Sequence, residues 1–487
     1  MKLILVSLIL ASLTAANSSE KVLLNEKGVI EISKNSNVPE LEKIKATFLE
    51  IKANNLKAED NLGTDLYGGY NYSETKEGAL NSFQPVFSPV HQYQVGIRKN
   101  FRYGLQADLN ASVDNRSAEG YDSIHTTTYN FGLNIDLWKN LFGKLTRNQL
   151  NNSSLNVKQS KIQTKINENV FRVSLRRIYW ALIANKEKLK ISERLFKTAK
   201  KQVKDAKKRQ RNSIADASEV ARYESQVSSR EGSILLLKYE RESLLKQMVD
   251  LLPELASKNI EIESVNIDKT IFSVLACTSI IGSNKTTPLN YTDYDELINL
   301  LKQIQSNQEQ IDQSYDAIDL KLSTKFRKTG VSSDPVTANT YEGSYDGSLD
   351  NLEDGFSAGL MLTIPLGKKI QGSAEVIKKY NKKRLEANIK NIDTSLVSTH
   401  TQVSKSIKYL GSLIKAQRTN SKALKTRLTE MQKKFNQARI PVYQLVQDQD
   451  ELLSSDLSIV DTQLAILNTV LDYFVVFSDT PCEFNKK

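Results

Sequence analysis

The sequence predicts a mixed α/β membrane protein, in which a transmembrane β-barrel is continued by a long α-helical coiled coil. Three observations carry this reading. Several runs alternate apolar and polar residues without a break, two stretches of more than sixty residues keep a helical apolar period, and the plan occurs twice. Period-two alternation marks a strand with two unlike faces, whereas recurrences at three, four and seven mark an amphipathic helix.

The chain has 487 residues and a formal net charge of +11. Residues 1–16 read as a secretory signal peptide: Lys2, an apolar run over 3–13, then the small residues Thr14-Ala15-Ala16. No later window approaches 18 consecutive apolar residues, so any membrane contact is expected through strands rather than helices. Residues 17–61 read as an N-terminal segment ending in a helix, and 62–144 as the first strands and loops. The clearest strand is "FRYGLQADLNASV", 101–113, with Phe101 to Val113 on one face and Arg102, Gln106, Asp108 and Asn110 on the other. Phe131, Leu133, Ile135 and Leu137 repeat the pattern opposite Asn134 and Asp136. "LGTDLYGGYNY" (62–72) and "YQVGI" (93–97) also alternate, which leaves either one long first strand or an additional hairpin. Tyr129 and Trp138, nine residues apart, match the span and aromatic ends of a transmembrane strand as well as ordinary strand packing.

Residues 145–250 read as a helical hairpin. Its descending arm, about Leu145 to Arg209, has no Gly or Pro, and at 1.5 Å rise such a helix is roughly 100 Å long. Tyr179-Trp180 read as inter-helix packing. The reversal "RNSIADASEV" (211–220) carries Asp216 and Glu219 at capping-box spacing. A mixed segment, 251–290, and a helix, 291–317, follow. Residues 318–367 hold the second strands, 368–477 a second hairpin with Pro441 placed for a first helical turn, and 478–487 a tail. "FGK" at 142–144 and "LGK" at 366–368 lie 224 apart, and Ile214 and Ile440 lie 226 apart, so the halves read as a duplication.

Catalysis is not indicated. His91, His125 and His400 are scattered, and no metal-ligand spacing, GxSxG elbow, P-loop or dinucleotide fingerprint occurs. No catalytic residue, metal or cofactor is expected. Cys277 and Cys482, the two cysteines, read either as one disulfide or as two unrelated thiols. From Lys186 to Arg211, 12 Lys/Arg face three acidic residues, a local surplus of nine. That run reads as a solvated face or as an electropositive collar near the tip.

The ordered features resemble the TolC-like outer-membrane efflux family. They are "RIYWALIANKEKLKISERLFKTAKKQ" (177–202), the reversals "SIADASEVARYESQV" (213–227) and "ARIPVYQLVQDQDELL" (438–453), and the strand ends "LNIDLWKNLFG" (133–143) and "LTIPLG" (362–367). The resemblance covers about residues 38–478. It implies a homotrimer in the outer membrane, about four strands per subunit in one shared barrel, and a periplasmic helical tunnel that closes at the reversal tips. It also implies a periplasmic adaptor and an inner-membrane transporter as partners, with no role for nucleic acid. Such a chain would be the passive exit duct of a tripartite efflux pump or a type I secretion system. By the same resemblance Arg439, Gln444, Gln447, Asp448, Asp216 and Glu219 would form the tip gate. Lys207, Lys208, Arg209, Arg211, Ile214, Ile440 and Pro441 would dock the adaptor, and Arg102, Gln106, Asp108, Asn110, Asn134 and Asp136 would line the barrel. Ala438 stands where the family usually has Gly, and Gln444 and Gln447 stand where acidic residues often line the closed end. An exported scaffold or adhesin with a soluble β domain is the reading the residues leave beside it.

Overall fold

The computed structural model describes residues 21–35, 38–75, 86–118, 121–213, 216–283, 292–315, 319–332, 341–350, 352–364, 368–437 and 439–477. The signal-peptide reading, Ile214, Ala438 and Cys482 lie outside them, as does the side chain of Cys277. The chain divides into two compact units. One comprises Met1–Ala46, Gln163–Asp295 and Ile392–Lys487, and the other Thr47–Ile162 and Glu296–Asn391.

The second unit is built on a sheet. Helix α2 (Pro39–Asp60; α1 is Glu26–Asn35), with Pro39 at its first position, leads into β2 (Thr64–Ser73; β1 is Lys21–Leu24). Strands β3 (Val90–Asn100), β4 (Leu105–Ala118) and β5 (Tyr121–Asp136) follow. β7 (Asp319–Val331; β6 is Asn259–Ile262) and β8 (Leu352–Thr363) complete one antiparallel sheet in the order β2-β3-β4-β5-β7-β8. The sheet therefore has six strands, where the resemblance implied about four. The alternating segments 62–72 and 93–97 are two paired strands, with Leu66 opposite Ile97 and Tyr70 opposite Tyr93.

The run 101–113 is not one strand. Its first residues form the turn between β3 and β4, where Phe101 N–H donates to Leu105 C=O at 2.7 Å and Gly104 N–H to Phe101 C=O at 3.3 Å. Gly104 has φ +73, a left-handed conformation that costs glycine little. The alternation through Arg102 and Tyr103 is thus accidental, because a turn residue can fit a period-two pattern without pairing.

After β5, residues Leu141–Gly143 make one 3₁₀ turn, with Phe142 (φ 50) and Gly143 (φ 71) both left-handed. This redirects the chain into α3 (Lys144–Arg211), which continues without interruption for 68 residues. Within the sheet unit, α3 is held to α6 (Thr292–Tyr315) by uncharged rungs: Asn148 to Gln310 at 3.1 Å, Asn152 to Gln308 at 3.2 Å, and Asn307 Nδ2 to Asn148 C=O at 2.6 Å. A short helix, α7 (Tyr341–Asp350), lies on β5, its Ser348 hydroxyl 2.6 Å from that of Thr127.

The other unit is helical. It contains most of α3 together with α4 (Ala217–Leu251), α5 (Ile267–Ser283), the C-terminal part of α8 (Lys368–Asn436) and α9 (Val442–Val476). Tyr179 and Trp180 are fully buried in its core, with Met248, Leu252, Leu467 and Leu471. Glu26, itself buried, accepts hydrogen bonds from Trp180 Nε1 at 3.1 Å and Arg176 Nε at 2.6 Å. That pair ties α1 to the long helix, and β1 pairs in parallel with β6 beside it. α9 is long and apolar enough to cross a membrane by composition, with a mean hydropathy of 1.4 over 18 residues, but half of that window is buried inside the protein.

Candidate functional site

Two sets of side chains stand apart from the core: the two faces of the sheet, and the ends of the helical hairpins. Register makes the sheet faces explicit. Leu66, Ile97, Leu109, Phe131, Phe326 and Phe356 share one side through successive Cα pairings, and each belongs to an apolar column on its own strand. That side is open, with Leu66 76 %, Phe356 62 % and Leu360 66 % exposed. Exposed apolar area of this extent marks a surface that meets something other than water. One end of it is aromatic: the Tyr70 ring lies tilted 5.0 Å from Tyr93 and its hydroxyl bonds His91 Nδ1 at 2.8 Å, with Tyr72 and Tyr129 on the same face. Trp138 and Phe142 are exposed beyond the other end of β5. Tyr129 lies in the middle of β5 and Trp138 two residues past its end at Asp136, so the stretch between them is not one extended strand.

The opposite face is polar and internally bonded. Asp108 is its hub: it accepts from Tyr67 Oη at 2.9 Å, Arg98 Nε at 3.1 Å and Asn110 Nδ2 at 2.6 Å. Tyr67 reaches it from β2 by lying across β3 at Gly96, where a Cβ would be 2.6 Å from the Tyr67 ring. Asn130 donates to Asn110 at 2.8 Å, and Asn134 to Gln106 at 3.1 Å. Asp136 accepts from Asn140 N–H at 3.1 Å and so fixes the turn after β5. Gln106, Asp108, Asn110, Asn134 and Asp136 therefore share one polar face, and Arg102 does not join them because it sits in the β3–β4 turn. The sequence reading missed Tyr67 and Arg98, although both lie at the matching parity, whereas the alternation 130–137 already put Asn130 on the polar side of its strand. Lys325 and Arg327, which alternate with Leu322, Thr324 and Phe326 in the sequence, project from β7 on that face with no acidic partner among the described residues.

At the first hairpin end, Asp216 is the N-cap of α4. It accepts from Glu219 N–H at 2.8 Å and from the Ser218 hydroxyl at 2.7 Å, and these bonds hold its carboxyl below the usual range. Glu219 pairs with Arg209 at 3.2 Å, and Arg209 lies 4.9 Å over the Phe435 ring. Lys207 pairs with Glu224 at 2.6 Å. Lys208 and Arg211 are exposed. At the second end, Arg439 is exposed with no ion pair among the described residues, and Pro441 is the N-cap rather than the first helical residue. Gln444 bonds Tyr443, Gln447 bonds Glu451, and Asp448, nearly buried, accepts from Arg427 at 2.7 Å. Arg427 also bonds Glu451. Ile440 is half-buried.

The two hairpins are joined by groups that the sequence did not single out. Arg230, 3 % exposed, donates to Leu195 C=O at 2.9 Å and to Asp450 at 3.2 Å, and its burial lowers its pKa while Asp450 opposes that shift. Gln226 donates to Gln449 at 3.2 Å. Val220 and Tyr223 pack against Val442 and Val446, and burial pushes Tyr223 up to about 12. Above them Lys188 pairs with Asp461 at 2.5 Å and Arg194 lies 3.9 Å from Asp456. Part of the basic run is thus spent on α9. A heptad reading gives the face of each helix but not which neighbour's carboxylate it meets.

Among the described residues no group of three or more His, Cys, Asp or Glu is placed to hold a metal ion. No protein-family model matches the chain, and no curated protein matches it in sequence. Solved structures do. The chain is similar to the outer membrane protein VceC of Vibrio cholerae (TM-score 0.67, 13 % identity, 93 % of this chain and 95 % of that one). It is also similar to the Campylobacter jejuni CmeC outer membrane channel (0.62, 13 %, 94 % and 87 %) and the open-state Neisseria gonorrhoeae MtrE outer membrane channel (0.61, 12 %, 93 % and 89 %). The fold is the one these channel proteins share.

Proposed function

We propose that this chain, having the fold of outer-membrane channels, is itself a passive exit duct across the outer membrane. The observation that supports this most directly is the two-faced sheet. An exposed apolar side backed by a hydrogen-bonded polar side suits a wall with lipid outside and water inside. One chain cannot finish such a wall: the sheet has two open edges, and six strands are fewer than the eight of the smallest filled barrels. The duct is therefore built from several copies, three by the resemblance of the sequence.

The helical hairpins form the periplasmic tunnel in this reading, and their ends form its gate. Arg230–Asp450 and Gln226–Gln449 are the bonds that hold one hairpin against the other, and parting them opens the aperture. Lys208, Arg211, Arg439 and Ile440 are left to meet a periplasmic adaptor, which in turn meets an inner-membrane transporter. Efflux pump and type I secretion system remain the two settings that such a duct serves.

Purified protein added to a planar lipid bilayer is expected to give stepwise conductance, to need detergent in solution, and to migrate in a heat-modifiable way on denaturing gels. A protein soluble without detergent and silent in the bilayer is instead an exported scaffold or adhesin.

A further inference from the structure

We propose that all six strands stand in the membrane wall, so that three copies close an eighteen-stranded barrel in which β8 of each copy pairs with β2 of the next. The proposal rests on the duct reading and goes beyond it in strand number, edge partner and width.

Chain connectivity separates the strands into two kinds. α2 leads into β2, β5 into α3, α6 into β7 and β8 into α8. Among the described residues β3 and β4 have no helix at either end. They form an inserted hairpin, 90–118, between β2 and β5, and the question is whether it lies in the wall or folds away from it.

Three observations place it in the wall. It carries the sheet's own partition of faces: Val95, Ile97 and Leu109 are exposed on the apolar side, and Asp108 and Asn110 lie on the polar side. It is long enough, with 11 residues in β3 and 14 in β4 against the 9–11 that a tilted membrane strand needs. The polar network also runs through it, because Tyr67 of β2 reaches Asp108 of β4 and Asn110 reaches Asn130 of β5. Its turn is seated as well. A Cβ on Gly143 would lie 1.8 Å from Arg102 C=O, and one on Gly104 would lie 2.5 Å from Asn140 C=O, so the turn presses against the strand-to-helix joint.

The edges specify their own partner. Strand directions alternate through the sheet, and with six strands β2 and β8 run opposite ways, so β8 of one copy meets β2 of another antiparallel. Apolar residues reach both edges, Leu66 on β2 and Leu360 on β8, so whatever pairs there must carry an outward apolar column. A second copy of this chain supplies one at each edge. Barrel diameter grows roughly linearly with strand number, so eighteen strands give about one and a half times the width of twelve, in the range that leaves an open aqueous channel. Passage is then limited by the hairpin ends and not by the barrel.

The test uses full-length protein in liposomes, with Cys277→Ser and Cys482→Ser as background. Single substitutions Ile97→Cys, Leu109→Cys, Phe131→Cys and Leu360→Cys carry an environment-sensitive fluorophore, read against quencher-bearing lipid. All four are expected to lose most of their emission. Quenching at Phe131 and Leu360 with none at Ile97 and Leu109 puts the hairpin outside the wall and overturns the proposal. Absence of quenching at all four overturns the duct reading itself. In a second experiment, Leu66→Cys is combined in turn with Ala358→Cys, Leu360→Cys and Leu362→Cys and oxidised. One pair is expected to give a covalent ladder ending at three copies. A ladder ending at two, or none from any pair, overturns the eighteen-stranded closure.

Discussion

Gly143 joins strand to helix, and it is a residue at which the sheet unit has no room for a side chain. Its positive φ costs an L-residue about 1–2 kcal/mol, and a methyl group there has no room beside Arg102 C=O. Gly143→Ala is expected to lower the thermal stability of the detergent-solubilised protein by more than that figure, and Gly232→Ala, with open space around it, by none. In the helical core, Trp180→Ala removes a fully buried indole and is expected to cost about 3–5 kcal/mol, read by denaturant unfolding. Asp216 gives a pH-dependent effect. Its folded pKa is depressed, so its capping contribution is present above the ordinary aspartate value, about 3.9, and is lost as pH falls through the folded value. Amide exchange in the first turn of α4 is expected to quicken on acidification, and Asp216→Ala to abolish that dependence. Of these residues Asp216 could be found in the sequence from its spacing to Glu219, and Trp180 as an inter-helix packing residue from its place mid-helix beside Tyr179. Gly143 looks like any loop glycine until the backbone of residue 102 is placed against it.

Among the elements, the hairpins were the more legible. The periodicity over 145–209 lies within α3, and that from Gly372 to Phe435 lies within α8, because a long amphipathic stripe without Pro, and with Gly411 the one weak point inside the second, leaves little alternative to helix. The strands were legible as faces but not in number or ends. Period two gives parity, and it cannot distinguish a continuing strand from a turn that happens to alternate, as at Arg102 and Tyr103. The contact between hairpins was not legible at all. Arg230 sits in a polar stretch of α4 and Asp450 in a polar stretch of α9, and only packing brings them to 3.2 Å. Arg230→Ala is expected to cost about 1.5–3 kcal/mol, as for a hydrogen bond to a charged group, and, on the proposed reading as a duct, to raise the resting conductance of the reconstituted protein. Arg439→Ala, at a side chain exposed to solvent, is expected to change neither. Unchanged conductance in Arg230→Ala would remove this pair from the gate.

For the molecule as a whole, the sequence by itself determined the local periods: which segments are two-faced strands, which are long helices, and that the plan is repeated. These follow from side-chain order along the chain, because a period of 2 or 3.6 needs no partner to be written. The exposed apolar face of the sheet also follows from it, since parity fixes which residues share a side. Tertiary structure alone decided how many strands share one sheet, that the turn at 101–104 seats against Gly143, and that acidic α9 spends part of the basic run of α3. Each of these depends on the distance between groups far apart in sequence. Such distances are set by hydrogen-bond register and close packing, and neither leaves a periodic trace in the order of residues.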